Sequence, residues 1–429
     1  MSRNLKLEHP RDQIAKIIDR IYKRGMTTTS GGNISIIDDS SNIWVTPSGI
    51  DKGSLTPADI VCVKPNGTII GKHKPSSEFP FHKAIYDQRP DIKSVIHAHP
   101  PALVSFSIVR QIPNTNIISQ AKHICGPIGY AKYELPGSET LGEVIAEEFK
   151  KGYKAVIMEN HGTVLGGSNL TDAFERFEAL EFCARTILYG SQIGTPKYLT
   201  DTQIEQFEAQ TQTQLPEMEV TEYPSDEVEK RLTICNIVQR SCQQGLMISS
   251  YGTVSMRWRN NDFLITPTNV NRWDMSVEDI VQIKDGKREK GKLPSRATWI
   301  HQEIYKRNPK VNSIIMTQSP YLMAFGVTHS YLNVRTIPES WIFLQDIPSI
   351  EYGSHFKANT DSKIIENCTT ALIIENDSII ITGDKLLQTF DYLEVAEFSA
   401  KSIVLGTSLG NMVPINDEQV EDLRKKFLT

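Results

Sequence analysis

The chain has 429 residues, 39% of them hydrophobic and 23% charged, with a formal net charge of −5. This composition is typical of globular domains that bury a core. A net negative charge without a basic cluster gives nucleic acid little to bind, and no apolar run approaches the length of a membrane span. Neither nucleic acid nor a membrane is therefore expected as a partner.

Two further features concern the compartment. The first ten residues lack the apolar stretch of a signal peptide, and the six cysteines show no Cys-x-x-Cys spacing. A cytoplasmic, reducing environment is expected for such a chain.

In chain order, the first half predicts alternating helices and strands. Apolar residues recur at helical spacing between residues 11 and 24, which predicts a first helix ending at Gly25. The remaining expected elements are strands at 43–45 and 60–63, a helix at 79–86, strands at 95–99 and 155–158, and a long helix at 170–190. Residues 198–226 are polar and contain two prolines, so a linker is expected there, partly helical around Ile204 and Phe207.

Three short segments between these elements carry small and polar residues. They are Ser30-Gly-Gly-Asn-Ile-Ser35, Thr46-Pro-Ser-Gly49 and Lys74-Pro-Ser-Ser-Glu78. Glycine lets a backbone approach a ligand closely, and hydroxyl and amide groups supply the many donors that a dianionic phosphate needs. Each segment taken singly is typical of an ordinary turn, but the three together favour a phosphate site.

A pair of histidines in Ser94-Val-Ile-His-Ala-His-Pro-Pro101 suggests a metal site. In a strand, the spacing of His97 and His99 puts both imidazoles on one face. A third imidazole, from His161, and the carboxylate of Glu78 would complete a tetrahedron. An isolated His-x-His is more often a solvated pair at a strand end, so the surrounding motifs decide between the two interpretations.

In order and spacing, the three small-residue segments, the His-x-His pair, Tyr133-Glu-Leu-Pro-Gly-Ser138 and Met158-Glu-Asn-His-Gly-Thr163 resemble the class II, zinc-dependent aldolase and adducin-head family. L-fuculose-1-phosphate aldolase belongs to this family, and the resemblance covers residues 13–194. It implies a three-layer α/β/α domain with a mostly antiparallel central sheet and a metal site at a subunit interface. The implied metal ligands are His97, His99, His161 and Glu78, and the implied phosphate-binding residues are Gly32, Asn33, Ser48, Gly49, Ser76 and Ser77.

The first half recurs about 220 residues later, which predicts two homologous domains in tandem. The expected boundaries are 1–197 for the first domain, 198–225 for the linker and 226–429 for the second domain. In the second copy the four metal ligands are replaced, in the order Glu78, His97, His99 and His161, by Ala297, Met316, Gln318 and Asp377. Asp377 alone retains a side chain able to bind a metal, so the second domain is interpreted as a degenerate copy.

The family resemblance implies a metal-dependent sugar-phosphate aldolase that forms dihydroxyacetone phosphate and an aldehyde through a metal-stabilised enediolate. Three neutral imidazoles favour Zn²⁺, with Mn²⁺ or Co²⁺ as alternatives. Glu78 is the expected acid/base, moving a proton at the carbon next to the carbonyl; its alternative role is that of a structural fourth ligand.

One departure from the family pattern leaves the reaction type open. The catalytic tyrosine of the fuculose-phosphate enzyme aligns near Ile117 or Ile118, where this chain has no tyrosine. His123, Tyr130 and Tyr133 are nearby candidates. An epimerase, dehydratase or decarboxylase of the same family therefore remains an alternative, as does a non-catalytic protein like the adducin head.

The expected assembly is a homodimer that forms a pseudo-fourfold ring, or a higher homo-oligomer. The second domain would then complete the active site, with His329, Tyr331 or Arg335 as the donated residue.

Overall fold

A computed structural model describes residues 8–210, 214–356 and 370–428 of the chain. Within these ranges the two halves of the repeat each form a mixed α/β domain around its own sheet, and both sheets are mostly antiparallel. The duplicated α/β fold expected from the sequence is thus confirmed.

The first sheet has eight strands in the order β4-β3-β2-β1-β5-β8-β7-β6. All its neighbouring strands are antiparallel except the parallel pair β6 and β7. The strands are β1 (Asn33–Ile37), β2 (Ile43–Val45), β3 (Val61–Val63), β4 (Ile69–Ile70), β5 (Ser94–Ala98), β6 (Ile128–Ala131), β7 (Ala155–Met158) and β8 (Gly162–Gly167). The helices are α1 (Pro10–Lys23), α2 (Phe79–Gln88), α3 (Pro101–Ile108), α4 (Ser119–Cys125), α5 (Glu139–Lys150) and α6 (Leu170–Ile193), with short 3-10 helices at Pro57–Asp59 and Thr115–Ile117.

The second sheet has nine strands in the order β15-β16-β17-β14-β10-β11-β12-β13-β9, and its two edge pairs, β13–β9 and β15–β16, are parallel. The strands are β9 (Glu217–Met218), β10 (Thr253–Arg259), β11 (Asp262–Ile265), β12 (Val281–Lys284), β13 (Lys287–Glu289), β14 (Ser313–Thr317), β15 (Ser349–Ile350), β16 (Ala371–Ile374) and β17 (Ser378–Gly383). The helices are α7 (Asp201–Glu208), α8 (Ser225–Gln244), α9 (Thr298–Arg307), α10 (Pro320–Thr328), α11 (Pro338–Leu344), α12 (Leu386–Gly406) and α13 (Asp417–Phe427), with a 3-10 helix at Arg272–Asp274.

Helices α2 and α5 bury the face of the first sheet that carries His97. Phe81 of α2 and Phe149 of α5 pack with Val95, Val156 and further apolar residues of the strands in one buried cluster. Because alternate residues of a strand point to opposite faces, Val95 and His97 lie on the same side of β5. His97 therefore emerges beside a packed helical layer that fixes its surroundings.

Backbone contacts divide the chain into two compact units whose limits differ from those of the sequence repeat. One unit contains the described residues up to 115 together with 120–185, and the other contains 116–119 and the described residues from 186 onward. In the second unit, the Asn376 side-chain amide donates to the carbonyls of Ile117 and Lys197, at 2.9 and 2.7 Å. Two short segments of the first repeat thus pack with the second repeat.

Candidate metal centre

β5 delivers the His-x-His pair from the middle of the first sheet. Its register places His97 opposite Asn33 of β1 on one side and opposite Val164 of β8 on the other. His97 is fully buried. His99 follows the last residue of the strand, so its backbone is released from the ladder while its ring stays beside that of His97.

His161 reaches the same point from the turn between β7 and β8. The preceding residue, Asn160, adopts a left-handed backbone with φ of +51°, a conformation that asparagine tolerates better than most residues. The ligand nitrogens of His97, His99 and His161 all lie within 4.8 Å of one another. Three side chains that are distant in sequence thus converge within the reach of one ion.

Hydrogen bonding determines which nitrogen of His97 faces this point. Its Nδ1–H donates to the Thr163 carbonyl at 3.0 Å, so Nε2 carries a lone pair. The Nε2 of His99 lies 2.9 Å from the Nε2 of His97. Two ring nitrogens at this distance need a proton or a cation between them, which fits a metal site.

The imidazoles are held in the neutral form that binds metals. Burial, together with the neighbouring imidazoles, lowers the pKa of both His97 and His99 to about 3. Burial also lowers the pKa of His161, against the opposing charge of Glu78. A metal would not have to displace protons from His97 or His99 near neutral pH.

Glu78 occupies the residue before α2 and faces the three imidazoles. Its Oε2 lies 3.3 Å from His97 Nε2, and its Oε1 lies 3.4 Å from His161 Nε2. Oε1 is buried and has no hydrogen-bond partner among the residues that the structure describes. A buried carboxylate oxygen in this position is satisfied by a cation, so the donor set fits a divalent ion.

Close backbone packing around the histidines depends on glycine. A Cβ at Gly162 would lie 2.6 Å from the Ala98 carbonyl and 2.7 Å from Cδ2 of His99, and a Cβ at Gly31 would lie 2.8 Å from His99 Nδ1. Gly32 has φ of +73°, and its Cβ position lies 2.9 Å from the His97 carbonyl. Gly162 and Gly31 thus make room for the His99 ring.

The loops that carry the expected phosphate donors are joined to each other. Pro47 and Pro75 form an isolated antiparallel bridge, and the Ser48 N–H donates to the Lys74 carbonyl at 3.0 Å. Ser48, Gly49 and Ser77 are exposed, whereas Ser76 is buried and its hydroxyl accepts the Glu78 N–H at 3.3 Å. The pairing therefore brings the serine-containing loops together next to Glu78.

Asn33 was also expected to bind phosphate, but its side chain contacts Glu78 rather than the serine-containing loops. Its side chain is buried, and its Nδ2 donates to Glu78 Oε2 at 2.6 Å. The structure thus places the Asn33 amide on the carboxylate that faces the histidines.

A buried lysine, also absent from the sequence interpretation, lies under the Ser48–Gly49 turn. Lys52 is 3% exposed, and its ammonium donates to the carbonyls of Pro47 and Ile50 at 3.1 and 3.2 Å. Burial lowers its pKa, with Asp51 acting in the opposite direction. The Ser48–Gly49 turn has no positively charged side chain of its own, and the Lys52 ammonium is the basic group nearest to it in sequence.

The equivalent place in the second copy has different chemistry. Ala297 precedes α9 as Glu78 precedes α2, and Met316 lies opposite Thr253 as His97 lies opposite Asn33. Gln318 Nε2 donates to the carbonyl of Asp377 at 2.6 Å. In the described parts of the chain, the first copy holds the single group of three or more residues with metal-ligand geometry.

The residues considered as replacements for the missing tyrosine lie in several environments. Tyr130 has a buried hydroxyl without a hydrogen-bond partner in the described ranges, whereas Tyr133 and His123 are exposed. In the second copy, Tyr331 donates to Asp346 at 3.2 Å, and Arg335 forms an ion pair with Asp417 at 2.6 Å. His329 lies 2.9 Å from the side-chain oxygen of Asn376.

Helices long and apolar enough to cross a bilayer are absent from the described residues.

Comparison with known proteins identifies the repeat. The family profile of the Class II Aldolase and Adducin N-terminal domain matches residues 12–188 and 233–404. A 3-oxo-tetronate 4-phosphate decarboxylase of Haemophilus influenzae is 33% identical over 193 residues, which are 44% of this chain and 90% of the relative. A 5-deoxy-D-ribulose 1-phosphate aldolase of Bacillus thuringiensis is 32% identical over 203 residues, 46% of this chain and 93% of the relative.

Two further proteins carry a fuculose-phosphate name. An L-fuculose phosphate aldolase of Methanococcus maripaludis is 34% identical over 173 residues, covering 40% of this chain and 93% of the relative. A solved structure of an L-fuculose 1-phosphate aldolase is 30% identical and covers 46% of this chain and 93% of its own, with a TM-score of 0.42.

Proposed function

Because the chain belongs to the class II aldolase and adducin family, with two copies of its domain in tandem, we propose that its first copy cleaves a phosphorylated ketose to dihydroxyacetone phosphate and an aldehyde. The chain is an enzyme of the lyase type. Relatives named as a deoxyribulose 1-phosphate aldolase and a fuculose phosphate aldolase support the aldol reaction.

The observation that carries the proposal is the position of Glu78. A carboxylate fixed by Asn33 faces three converging neutral imidazoles and adjoins two serine-containing loops. The side chains proposed as acid/base, metal ligands and phosphate donors are thus neighbours, and this arrangement supports a sugar-phosphate lyase.

We propose that His97, His99 and His161 hold a divalent transition metal, with Glu78 as a displaceable fourth ligand. Three imidazole nitrogens favour Zn²⁺ over Mn²⁺ or Co²⁺. Such an ion, when bound, supplies electrostatic stabilisation of the negative charge that develops on substrate oxygens.

The remaining steps belong to the side chains. The hydroxyls of Ser48, Ser76 and Ser77, with the backbone at Gly32 and Gly49, bind the phosphate and fix the position of the ketose. Cleavage breaks the bond between C3 and C4 of the ketose: the C4 hydroxyl gives up its proton as the aldehyde forms, and Glu78 returns a proton to C3, the carbon next to the carbonyl. The apolar cluster of α2 and α5 packs against the His97 side of the site, where the Phe81 ring meets the His97 ring edge-on.

Decarboxylation is the second candidate, and the Haemophilus influenzae decarboxylase, at 33% identity, supports it. The substrate would then be a phosphorylated 3-keto acid, and loss of carbon dioxide would leave the same electron-rich carbon. Glu78 would afterwards return a proton to that carbon. Epimerisation or dehydration of a sugar phosphate would use the same residues with a different fate for the proton.

A substrate panel tests the proposal. The metal-loaded protein is incubated with ketose 1-phosphates, pentulose 5-phosphates and phosphorylated 3-keto acids. Dihydroxyacetone phosphate and carbon dioxide are measured separately. Formation of dihydroxyacetone phosphate supports the aldolase, release of carbon dioxide assigns the decarboxylase, and equal turnover of unphosphorylated sugars argues against the phosphate site.

Two variants separate metal binding from proton transfer. His97→Ala is expected to lose both metal and activity, whereas Glu78→Gln is expected to keep the metal and lose turnover. About one metal ion per chain is expected by elemental analysis of the unmutated protein. Protein that stays free of metal under zinc-replete conditions would instead indicate a non-catalytic interaction protein like the adducin head.

For the assembly we propose a homodimer in which first and second copies alternate around a pseudo-fourfold ring. Sedimentation equilibrium is expected to give twice the 48.3 kDa mass of the chain, and a monomer at all concentrations would refute the ring.

A further inference from the structure

A buried chain of polar side chains leads from α2 and β1 to Glu78. We propose that His82 is a positioning residue that locks the Asn33 amide with its N–H toward Glu78. This inference rests on the proposed role of Glu78 as the acid/base.

Four hydrogen-bond contacts connect these side chains, which lie on β1, on α2 and at the residue before α2. The Asn33 side chain donates through Nδ2 to Glu78 Oε2 at 2.6 Å and accepts through Oδ1 from His82 Nε2. On its other side His82 Nδ1 lies 2.7 Å from the Ser35 hydroxyl, which lies 2.6 Å from the Tyr86 hydroxyl. Asn33, Ser35, His82 and Tyr86 are all buried, so water does not compete for these bonds.

The Glu78 carboxylate at the end of this series determines which group donates in each hydrogen bond. A carboxylate only accepts hydrogen bonds, so the Asn33 group that meets Glu78 must be its NH₂. The oxygen of Asn33 then faces His82, and His82 must carry its proton on Nε2. Nδ1 is left as an acceptor for the Ser35 hydroxyl. Burial lowers the pKa of His82 to about 3, so one neutral tautomer persists at neutral pH.

Locking matters because an asparagine amide can rotate. If the Asn33 amide turned over, its oxygen would face the Glu78 carboxylate and its NH₂ would face the His82 N–H. Both contacts would become repulsive, so the Nε2–H of His82 makes one amide orientation strongly preferred. That orientation in turn holds Glu78 Oε2, which lies 3.3 Å from His97 Nε2, and leaves Oε1 free to face His161.

The second copy provides an internal comparison that separates packing from positioning. Ser35, His82 and Tyr86 form a triad that Ser255, His301 and Tyr305 repeat. The Ser255 hydroxyl lies 2.7 Å from both His301 Nδ1 and the Tyr305 hydroxyl. Thr253 stands in the place of Asn33, and its hydroxyl lies 2.6 Å from that of Ser295. His301 Nε2 is buried without a hydrogen-bond partner in the described ranges. The triad alone therefore serves the fold, and the link through Nε2 exists where there is a Glu78 to position.

Two substitutions of His82 distinguish its bond to Asn33, through Nε2, from its bond to Ser35, through Nδ1. Gln places an amide N–H near the position of Nε2 and can still donate to Asn33, whereas Asn places its oxygen near the position of Nδ1 and reaches only Ser35. We expect His82→Asn to lower kcat by roughly 10- to 100-fold, the usual effect of losing a partner of a metal-site ligand. The KM for the phosphorylated substrate is expected to change little, and His82→Gln is expected to recover most of the kcat.

The matched controls are His301→Asn and His301→Gln, which make the same changes in the same triad of the second copy. Both are expected to keep the kcat of the unmutated protein even where they lower the thermal midpoint. Equal loss of kcat in His82→Asn and His82→Gln, or undiminished kcat in folded His82→Asn, would overturn the proposal.

A spectroscopic measurement keeps the inference separate from the proposed reaction. In protein labelled with ¹⁵N-histidine, the full chain is expected to show His82 as the neutral Nε2–H tautomer, and Asn33→Ala is expected to perturb that signal. An Nδ1–H tautomer would refute the locking of Asn33. If the tautomer is as expected but no substrate on the panel is turned over, the proposed function fails and the positioning of Glu78 stands.

Discussion

Two buried cations occupy equivalent places under the proline-containing turns of the two copies. Lys52 donates to the carbonyls of Pro47 and Ile50, and Arg272 donates to those of Pro267 and Val270, at 2.9 and 2.6 Å. A cation at this place thus supports the turn in both copies. In the first copy it also lies beneath the proposed phosphate donors.

Lys52→Met is expected to weaken both the turn and phosphate binding. Stability should fall by about 1–3 kcal/mol, because two carbonyls lose their donor. The KM for a phosphorylated substrate should rise, because a positive charge under the loop is lost. Urea unfolding and steady-state kinetics measure the two effects. Arg272→Met is the control, with lower stability at unchanged KM; a Lys52→Met protein with unchanged KM would assign the ammonium to structure alone.

Buried neutral histidines give the protein a specific acid sensitivity. Burial lowers the pKa of both His82 and His301 to about 3, against about 6.5 in an unfolded chain. Between these values these two residues bind more protons in the unfolded state than in the folded state, so their contribution to stability is full above about pH 6.5 and falls as the pH drops toward 3.

His301→Gln is expected to reduce this acid sensitivity. Unfolding of the variant should take up one proton fewer between pH 6 and pH 4, so the decline of stability with falling pH should be shallower. Denaturant unfolding of metal-free protein across this range measures the slope. Parallel curves for the variant and the unmutated protein would show that His301 does not contribute to the acid sensitivity.

At the scale of elements, the junction of β7, β8 and β5 controls the room available to His99. Gly162→Ala would put a methyl group 2.6 Å from the Ala98 carbonyl and 2.7 Å from the His99 ring. We expect a cost of about 1–3 kcal/mol from overpacking and a metal affinity lowered at least tenfold by displacement of the ring. Competition with a chelator measures the affinity.

The second copy again supplies the control for this element. Ser378 begins β17 as Gly162 begins β8, and Gln318 stands where the first copy has His99. Ser378→Ala is expected to leave metal content unchanged. Full metal affinity in Gly162→Ala would mean that β5 and β8 can separate without moving the site.

Three helices and four strands of the first domain were predictable from the sequence, and the reasons are local. β2 and β7 have the predicted bounds because short apolar runs are flanked by turn residues, and α1 was marked by its spaced isoleucines, all of them buried. The segment expected to be a linker contains α7, whose Ile204 and Phe207 are buried, and β9, which pairs with β13. Two residues of strand are too short to leave a periodic signal.

The candidate site was predictable by residue type but not by orientation. The histidines and Glu78 could be named because metal ligands belong to few residue types. The partner of the Asn33 amide could not be, since it depends on Glu78 and His82, 45 and 49 positions away. Likewise, a glycine that makes room for a ring cannot be distinguished in sequence from one that makes a turn.

At the scale of the whole molecule, the second compact unit contains segments of both repeats. This bears on whether the first repeat can function without the second. Besides the bonds from Asn376, the Lys197 N–H donates to the Val327 carbonyl at 2.8 Å, and Tyr189 stacks on Tyr321 at 4.1 Å. These contacts join the end of the first repeat to the second repeat. A first repeat produced alone would lose all of them.

Residues 1–200 expressed alone are therefore expected to bind metal but to have little activity, and adding residues 226–429 is expected to restore it. Asn376→Ala in the full chain removes only the bonds to Ile117 and Lys197, and it is expected to lower stability and leave the metal content unchanged. Elemental analysis and turnover measurements follow both. Full activity of residues 1–200 by themselves would show that the second copy is dispensable.

The triad of serine, histidine and tyrosine that both copies share bears on what they have in common. Ser, His and Tyr stand in the same contacts in both, so the domain that was duplicated already had them. A buried imidazole nitrogen without an acceptor costs about 1–3 kcal/mol, and a fold has no reason to acquire one. In the second copy the Thr253 hydroxyl contacts that of Ser295 instead, and His301 Nε2 has no partner among the described residues. The second copy therefore retains the buried triad at a cost in stability that the first copy avoids through Asn33.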